Sequence, residues 1–237
     1  MNNYIDCHSH ILYGIDDGSK DIDMSIEIIK KMVNLGFKEI VLTPHYISYY
    51  HANNYVKKEL LYNLRNRLQI ENIDIKLYLA NEVRITSDMM GLIKNDEISL
   101  LGNYLFLELP FDQKIYNLEN IIYELQSNNI NIILVHPERY AYLSKDDYQK
   151  LLDSDVLFQA NYESIIGKYG SGAKKRVKYL LEHNMIYLLA TDVHRPTTMM
   201  FSQWEKIERK IIKFVGSEVY KDLTYNNINN ILNDIRS

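Results

Sequence analysis

Seven short apolar or alternating runs recur along the 237-residue chain, at Tyr4 to His8, Glu39 to Thr43, Ile75 to Ala80, Tyr104 to Glu108, Ile130 to Val135, Val156 to Ala160 and Met185 to Ala190. Runs of this length and composition are strand candidates. Between them the apolar positions repeat at helical spacing, over Asp21 to Leu35, Val56 to Leu68, Leu118 to Ser127, Asp146 to Leu152, Ala173 to His183 and Ser202 to Phe214. The first of these sets Met24, Ile26, Ile28, Ile29, Met32 and Val33 against Glu27, Lys30 and Lys31, and Gly36 follows as a C-cap. Strand alternating with helix requires parallel strands joined by helical crossovers, hence an α/β barrel or an open doubly wound sheet. No Pro-rich or Ser-rich linker and no internal repeat divides the pattern, so a single domain over residues 1–237 is expected. The tail, Thr224 to Ile235, carries Ile228, Ile231, Leu232 and Ile235 at helical spacing and predicts a last helix packed on the body.

Composition narrows the partners more than the fold. At 46% hydrophobic and 24% charged residues the chain has ordinary globular content. A net charge of −4 and a pI near 6.0 give no basic face for nucleic acid. No run approaches the length of a membrane-spanning helix, and the start MNNYIDCHSH lacks the basic-then-apolar form of a secretory signal. Cys7 is the only cysteine, so no internal disulfide is possible and a cytoplasmic location is expected.

Polar residues at the ends of the predicted strands carry the candidate chemistry. His8 and His10 flank Ser9, and a period of two places both imidazoles, with Asp6, on one face. Two neutral imidazoles from one strand can begin a metal site, but alone they fit equally well as partly buried histidines bonded to backbone. Repetition changes the balance: His45 follows Val41 to Pro44, Glu82 follows Leu77 to Asn81, and Glu108 ends Leu105 to Leu107. His136 follows Ile132 to Val135, and Asp192 and His194 follow Tyr187 to Thr191. Six strand ends with metal-ligand chemistry on one face of a barrel point to metal binding. Asp16 and Asp17 sit in Gly-Ile-Asp-Asp-Gly, where a turn whose carboxylates cap the next helix is the simpler reading. Mixed imidazole and carboxylate sets suit Mn, Fe or Zn better than Ca or Mg.

Together H-S-H, G-I-D-D-G, T-P-H, N-E, F-L-E-L, H-P-E-R-Y and T-D-V-H resemble the polymerase and histidinol phosphatase (PHP) superfamily, and most of all its manganese-dependent bacterial protein-tyrosine phosphatases of capsule and exopolysaccharide operons. The resemblance implies a distorted (β/α)7 barrel and three divalent ions, manganese foremost. By that likeness His8, His10, Glu82 and Asp192 hold one ion, and Glu82 bridges to a second completed by Glu108 and His136. Asp17, His45 and His194 hold the third, which replaces the turn reading of the Asp16–Asp17 loop. Arg139, Arg195 and Glu108 are implied as catalytic, the arginines as phosphate binders. Arg195 departs from the family spacing, and Arg84 is the alternative second arginine. A salt bridge to Glu138 or another carboxylate is the structural alternative for Arg139. The implied partner is a phosphorylated tyrosine kinase of a capsule or exopolysaccharide system.

Two competing readings stay open at this point. One is a histidinol phosphate phosphatase, the other a metal-stabilised binding module without turnover. Cysteine catalysis is disfavoured, because a C-x5-R motif would need arginine where Tyr13 stands, and Cys7 points away from His8 along the strand.

Overall fold

The computed structural model describes residues 3–236. Each predicted strand and helix is present, with ends set by capping and by the hydrogen-bond ladder. Strand β1 (Tyr4–Asp6) leads to α1 (Ile22–Leu35), whose N-cap Asp21 accepts from the Met24 backbone. Gly36 ends α1 in the left-handed conformation at φ 100° and donates to Met32 and Val33, a geometry that costs glycine little. Next come β2 (Phe37–Leu42), β3 (His45–Tyr46), α2 (Asn54–Ile70), β4 (Lys76–Leu79), β5 (Glu82–Arg84) and α3 (Met89–Lys94). The remainder is β6 (Tyr104–Glu108), α4 (Leu118–Ser127), β7 (Asn131–Val135), α5 (Lys145–Asp153), β8 (Leu157–Asn161), α6 (Gly170–Glu182), β9 (Leu188–Ala190), α7 (Met199–Val215), α8 (Ser217–Lys221) and α9 (Asn227–Arg236).

All strand pairs are parallel, in a sheet ordered β1-β2-β4 and a second ordered β3-β5-β6-β7-β8-β9. Two short strands, β3 and β5, are not among the predicted ones and lie just beyond the ends of predicted runs. Thr43 and Pro44 separate β2 from β3, where proline has no N–H to give the ladder. Ala80 and Asn81 separate β4 from β5. At each point the chain leaves one sheet and enters the next, which bends the barrel and is the distortion expected of it. The circuit returns to β1 through a parallel bridge between Ser9 and Val193, with His10 N donating to Val193 O at 3.0 Å and Asp192 N to His8 O at 3.0 Å. Below that bridge the buried Asp6 carboxylate accepts from Thr191 N at 2.9 Å and Thr191 Oγ1 at 2.6 Å.

Alternate positions feed two cores. Leu105, Leu107, Ile132 and Leu134 join the larger cluster with the helices, whereas Phe106, Ile133 and Val135 join a smaller one that α9 seals with Ile228, Ile231 and Leu232. Asn227 at the start of α9 donates to Tyr187 O, just before β9, so α9 lies at the N-terminal ends of the strands. The last helix packs as expected except at Ile235, which stays 39% exposed in its final turn, beside Gly102. Cys7 is buried in the smaller cluster with its thiol 3.9 Å from Leu189 O. Burial, then Asp6, pushes that thiol well above its ordinary range, which leaves no nucleophilic thiolate.

The Asp6–Thr191 clip generates a prediction. Thr191→Val removes one donor to a buried carboxylate and one acceptor for Val193 N, and should lower unfolding free energy by about 1–3 kcal/mol in urea titrations. An unchanged midpoint would mean that the clip does not hold β1 to β9.

Candidate metal centre

All nine residues singled out as ligands converge at the C-terminal ends of the strands. His8 and His10 follow β1 and are fully buried. Asp17, His45, Glu82, Glu108, His136, Asp192 and His194 line a cavity of about 670 Å³ together with Arg84, Arg139 and Arg195. His136 and Asp192 leave their strands with φ of 36° and 50°, and a non-glycine residue in that region is held there only by its surroundings. The hold is visible: His136 N donates to Gln159 O at 2.6 Å and Asp192 N to His8 O at 3.0 Å. Gly18 is required by space, since a Cβ there would lie 2.0 Å from His10 O and 2.6 Å from His10 Cβ.

Histidine orientation decides which nitrogens are free. His8 Nδ1 lies 2.7 Å from Gln159 Oε1 and His10 Nδ1 lies 2.8 Å from Asp16 Oδ2. Both acceptors select the Nδ1–H tautomer, leaving each Nε2 lone pair to point inward. The two Nε2 atoms stand 3.2 Å apart, with Glu82 Oε2 at 3.4 and 3.2 Å and Asp192 Oδ1 at 3.7 and 3.5 Å from them. Four donor atoms bound at 2.0–2.1 Å around a tetrahedral ion stand about 3.4 Å apart; His8, His10 and Glu82 form a set that could hold an ion, and Asp192 adjoins its two imidazoles.

Two further groups adjoin it. Asp17 Oδ1 is 3.6 Å from His45 Nε2 and 3.4 Å from His194 Nε2, and His10 completes a set of four that could hold an ion. Glu82 also meets His136 Nε2 at 2.9 Å, and with His45 and Glu108 it forms another such set. Buried Glu82 Oε2, His45 Nδ1 and His136 Nδ1 lack hydrogen-bond partners, although the first two lie 2.9 Å apart. Glu82 Oε2 and His45 Nδ1, facing one another without aligning, fit a shared cation.

The electrostatics agree. Burial opposes charge on His8 and His45, yet neighbouring carboxylates, Glu82 foremost, lift them to about 9 and about 10. Glu108 rises to about 7 through burial and the charge of Glu82. His136 falls to about 4 through burial and the nearby Arg139. Protons are thus drawn onto imidazoles that divalent ions would otherwise keep neutral.

Arg139 does not pair with Glu138, which turns away to accept from Asn161 N and Ser164 Oγ. Its guanidinium lies 4.5 Å from the ring centres of both Phe111 and Tyr169, and Nη1 donates to Asp192 Oδ2 at 3.3 Å. Arg84 Nε holds Glu108 Oε2 at 2.7 Å. Arg195 reaches the pocket but gives Nη1 to the carbonyls of Asp17, Gly18 and His194. Sequence reasoning missed Gln159, Asn161, Tyr169 and Phe111. Gln159 and Asn161 alternate inside the otherwise apolar β8, a signal that was readable; Phe111 and Tyr169 lie in loops with no periodicity to mark them. Asp16 proves to orient His10 and to accept from Gly18 N and His45 N, while Asp21 caps α1. Asp6 shares the face of His8 but is turned to Thr191, whose N and Oγ1 it accepts from, whereas Asp192 and His136, also outside the three close-set groups, lie against His8, His10 and Glu82.

Comparison with known proteins places this arrangement. CapC of Staphylococcus aureus is 31% identical over 202 residues, 83% of this chain and 79% of that protein. The tyrosine-protein phosphatase YwqE of Bacillus subtilis is 30% identical over 227 residues, 94% of this chain and 89% of YwqE. A chain from the crystal structures of YwqE from Bacillus subtilis and CpsB from Streptococcus pneumoniae, described as unique metal-dependent tyrosine phosphatases, superposes with a TM-score of 0.86 at 29% identity. That match covers 94% of this chain and 92% of the other. The family model for capsular polysaccharide synthesis, CpsB/CapC, matches residues 4–233, and the chain belongs to that family.

Proposed function

We propose that this protein is a metal-dependent tyrosine phosphatase that hydrolyses phosphotyrosine in proteins, foremost in the tail of a tyrosine kinase governing capsule or exopolysaccharide synthesis. The single observation that carries the chemistry is the buried set of His8, His10 and Glu82 with Asp192 beside its imidazoles, below an arginine stacked at the rim. Its relatives named as tyrosine phosphatases support the substrate class.

In this reading His8, His10, Glu82 and Asp192 would hold one divalent ion, Glu82 with Glu108 and His136 would hold a second, and Asp17, His45 and His194 would hold a third. Manganese is the proposed metal, with iron or zinc as alternatives of the same donor class. Divalent ions so placed lower the pKa of water and neutralise charge on a phosphoryl group. The chain's own residues do the rest. Arg139, pre-set between two rings, donates to phosphoryl oxygens, and its guanidinium is already released from Glu138. Arg84 fixes Glu108 against the pocket wall. It is also better placed than Arg195 to act as the second phosphate-binding arginine, because Arg195 spends Nη1 on three carbonyls. Gln159 and Asp16 keep the two buried imidazoles in one tautomer. A phenol leaves with a pKa near 10, so cleavage asks less of a general acid than loss of an alkoxide would. The reading includes one domain over residues 1–237 acting in the cytoplasm, supported by a lone buried cysteine that needs no oxidising compartment. Among the described residues no helix is long and apolar enough to cross a membrane.

Three outcomes are expected. His136→Ala or Asp192→Ala should remove most phosphatase activity and lower bound metal, read by metal analysis beside phosphate release; wild-type values in both assays would sink the ligand assignment. Arg139→Ala should retain metal while kcat/KM falls on the order of 10- to 100-fold; unchanged kinetics would return Arg139 to packing. Phosphotyrosine peptides should give a higher kcat/KM than histidinol phosphate in a competition assay, and the reverse order would install the small-molecule phosphatase instead. Absence of any turnover of p-nitrophenyl phosphate with added Mn2+ would favour the non-catalytic module.

A further inference from the structure

The net charge is −4, yet one surface beside the cavity is basic. Helices α6 and α7 pack together, and both begin at the rim: Tyr169 and Thr198, the residues before their first turns, line the cavity. Lys174 and Lys178 lie one turn apart on α6, and Lys206 and Lys210 one turn apart on α7. Among the described residues none of these four ammonium groups has a carboxylate within ion-pair distance. Lys178 lies over the Phe214 ring and Lys206 donates to Gln203. Of the acids close by, Glu205 is engaged with Arg209, Glu208 with the Tyr4 hydroxyl, and Glu163 with Lys168 and Thr198, while Glu182, one turn beyond Lys178, lies at the far end of α6 from the rim. The four lysines also feel one another: beyond its partial burial, Lys210 is held below the ordinary lysine range by the charges of Lys174, Lys206 and Lys178.

This basic surface is continuous with the cavity. A Cβ on Gly167 would meet Lys174 Cδ at 3.4 Å, so Lys174 lies against the turn that carries Lys168 to the rim. At a rise of 1.5 Å per helical residue, the four lysines stand roughly 8–18 Å from the helix starts. An extended peptide leaving the cavity covers that span in roughly two to five residues.

We propose that the α6–α7 lysine track docks the segment flanking a substrate phosphotyrosine and selects phosphopeptides with Asp or Glu a few residues from the phosphorylated position. The proposal rests on the phosphatase reading and adds a sequence preference to it. A peptide fits better than an anionic membrane, because the track presents no exposed aromatic to insert and Lys178 covers Phe214. Rim charges of this kind act mainly on encounter and KM, and they weaken with salt.

The test uses the full chain loaded with Mn2+ and three fluorescein-labelled phosphotyrosine peptides with acidic, neutral or basic flanks. p-Nitrophenyl phosphate serves as a flank-free substrate. At low salt the acidic peptide should exceed the neutral one in kcat/KM by about tenfold, chiefly through KM, and the advantage should shrink at physiological salt. Lys174→Glu with Lys178→Glu, or Lys206→Glu with Lys210→Glu, should abolish the preference while metal content and p-nitrophenyl phosphate turnover stay at wild-type levels. Equal rates for acidic and neutral peptides, or a preference that survives both double variants, would overturn the proposal. So would salt-sensitive binding to phosphatidylserine vesicles without any flank preference. Fluorescence anisotropy of the same peptides reads docking without turnover. An inactive wild type that still binds the acidic peptide through these lysines would therefore defeat the phosphatase reading and leave the docking surface standing.

Discussion

Four carboxylates and five imidazoles meet at one end of the strands, and the architecture around them is organised by how that charge is balanced. Glu82 is the centre of the problem. It is buried, it faces His8, His10, His45 and His136, and its Oε2 has no hydrogen bond. A carboxylate in that position is strongly disfavoured unless positive charge comes to it. Without ions the protein can answer only by protonating histidines, which is why His8 and His45 are lifted to about 9 and about 10. Divalent cations answer the same demand while leaving the imidazoles neutral and ligating.

The backbone is shaped to deliver these groups to one point. Breaks at Thr43–Pro44 and Ala80–Asn81 restart two strands, so that His45 and Glu82 begin β3 and β5 as direct register partners. The break at Asn81 is itself anchored: its side chain donates to Pro44 O and accepts from Ser99 N and from the fully buried Lys57. Left-handed backbone at His136 and Asp192 turns two more ligands inward, and the contact of Gly18 with His10 brings the Asp16–Asp17 loop down onto the imidazoles. Rigid strands set the position of the ligands; a few strained or glycine residues set their aim.

Around this polar floor the rim is aromatic and cationic. Phe111 stacks against His136 and Tyr140 as well as Arg139, so one ring from the loop after β6 links a ligand group to the arginine above it. Stacking engages the faces of the guanidinium and not its N–H edge, one of whose donors meets Asp192 Oδ2, and planar recognition of a phosphoryl group uses that edge.

The amino-acid sequence by itself determined the order of strands and helices, because burial on one face imposes periods of 2 and 3.6 that survive in any context. It also placed His8, His10, His45, Glu82, Glu108, His136, Asp192 and His194 at strand ends, because a ligand set on a barrel must lie at one end of its strands. The Asp16–Asp17 loop was ambiguous, since local chemistry favours capping; only tertiary structure brings Asp17 to His45 and His194 and assigns the cap to Asp21. The same holds for β3 and β5, too short to show a period of their own and defined only by their partners in the second sheet. It holds for Gln159, whose partner His8 is 151 residues away, and for Arg139, which could have paired with its neighbour Glu138 but instead stacks between rings from two distant loops. Periodicity is a property of neighbours along the chain, whereas a tautomer, a charge balance or a stacked guanidinium depends on groups that only the fold makes adjacent.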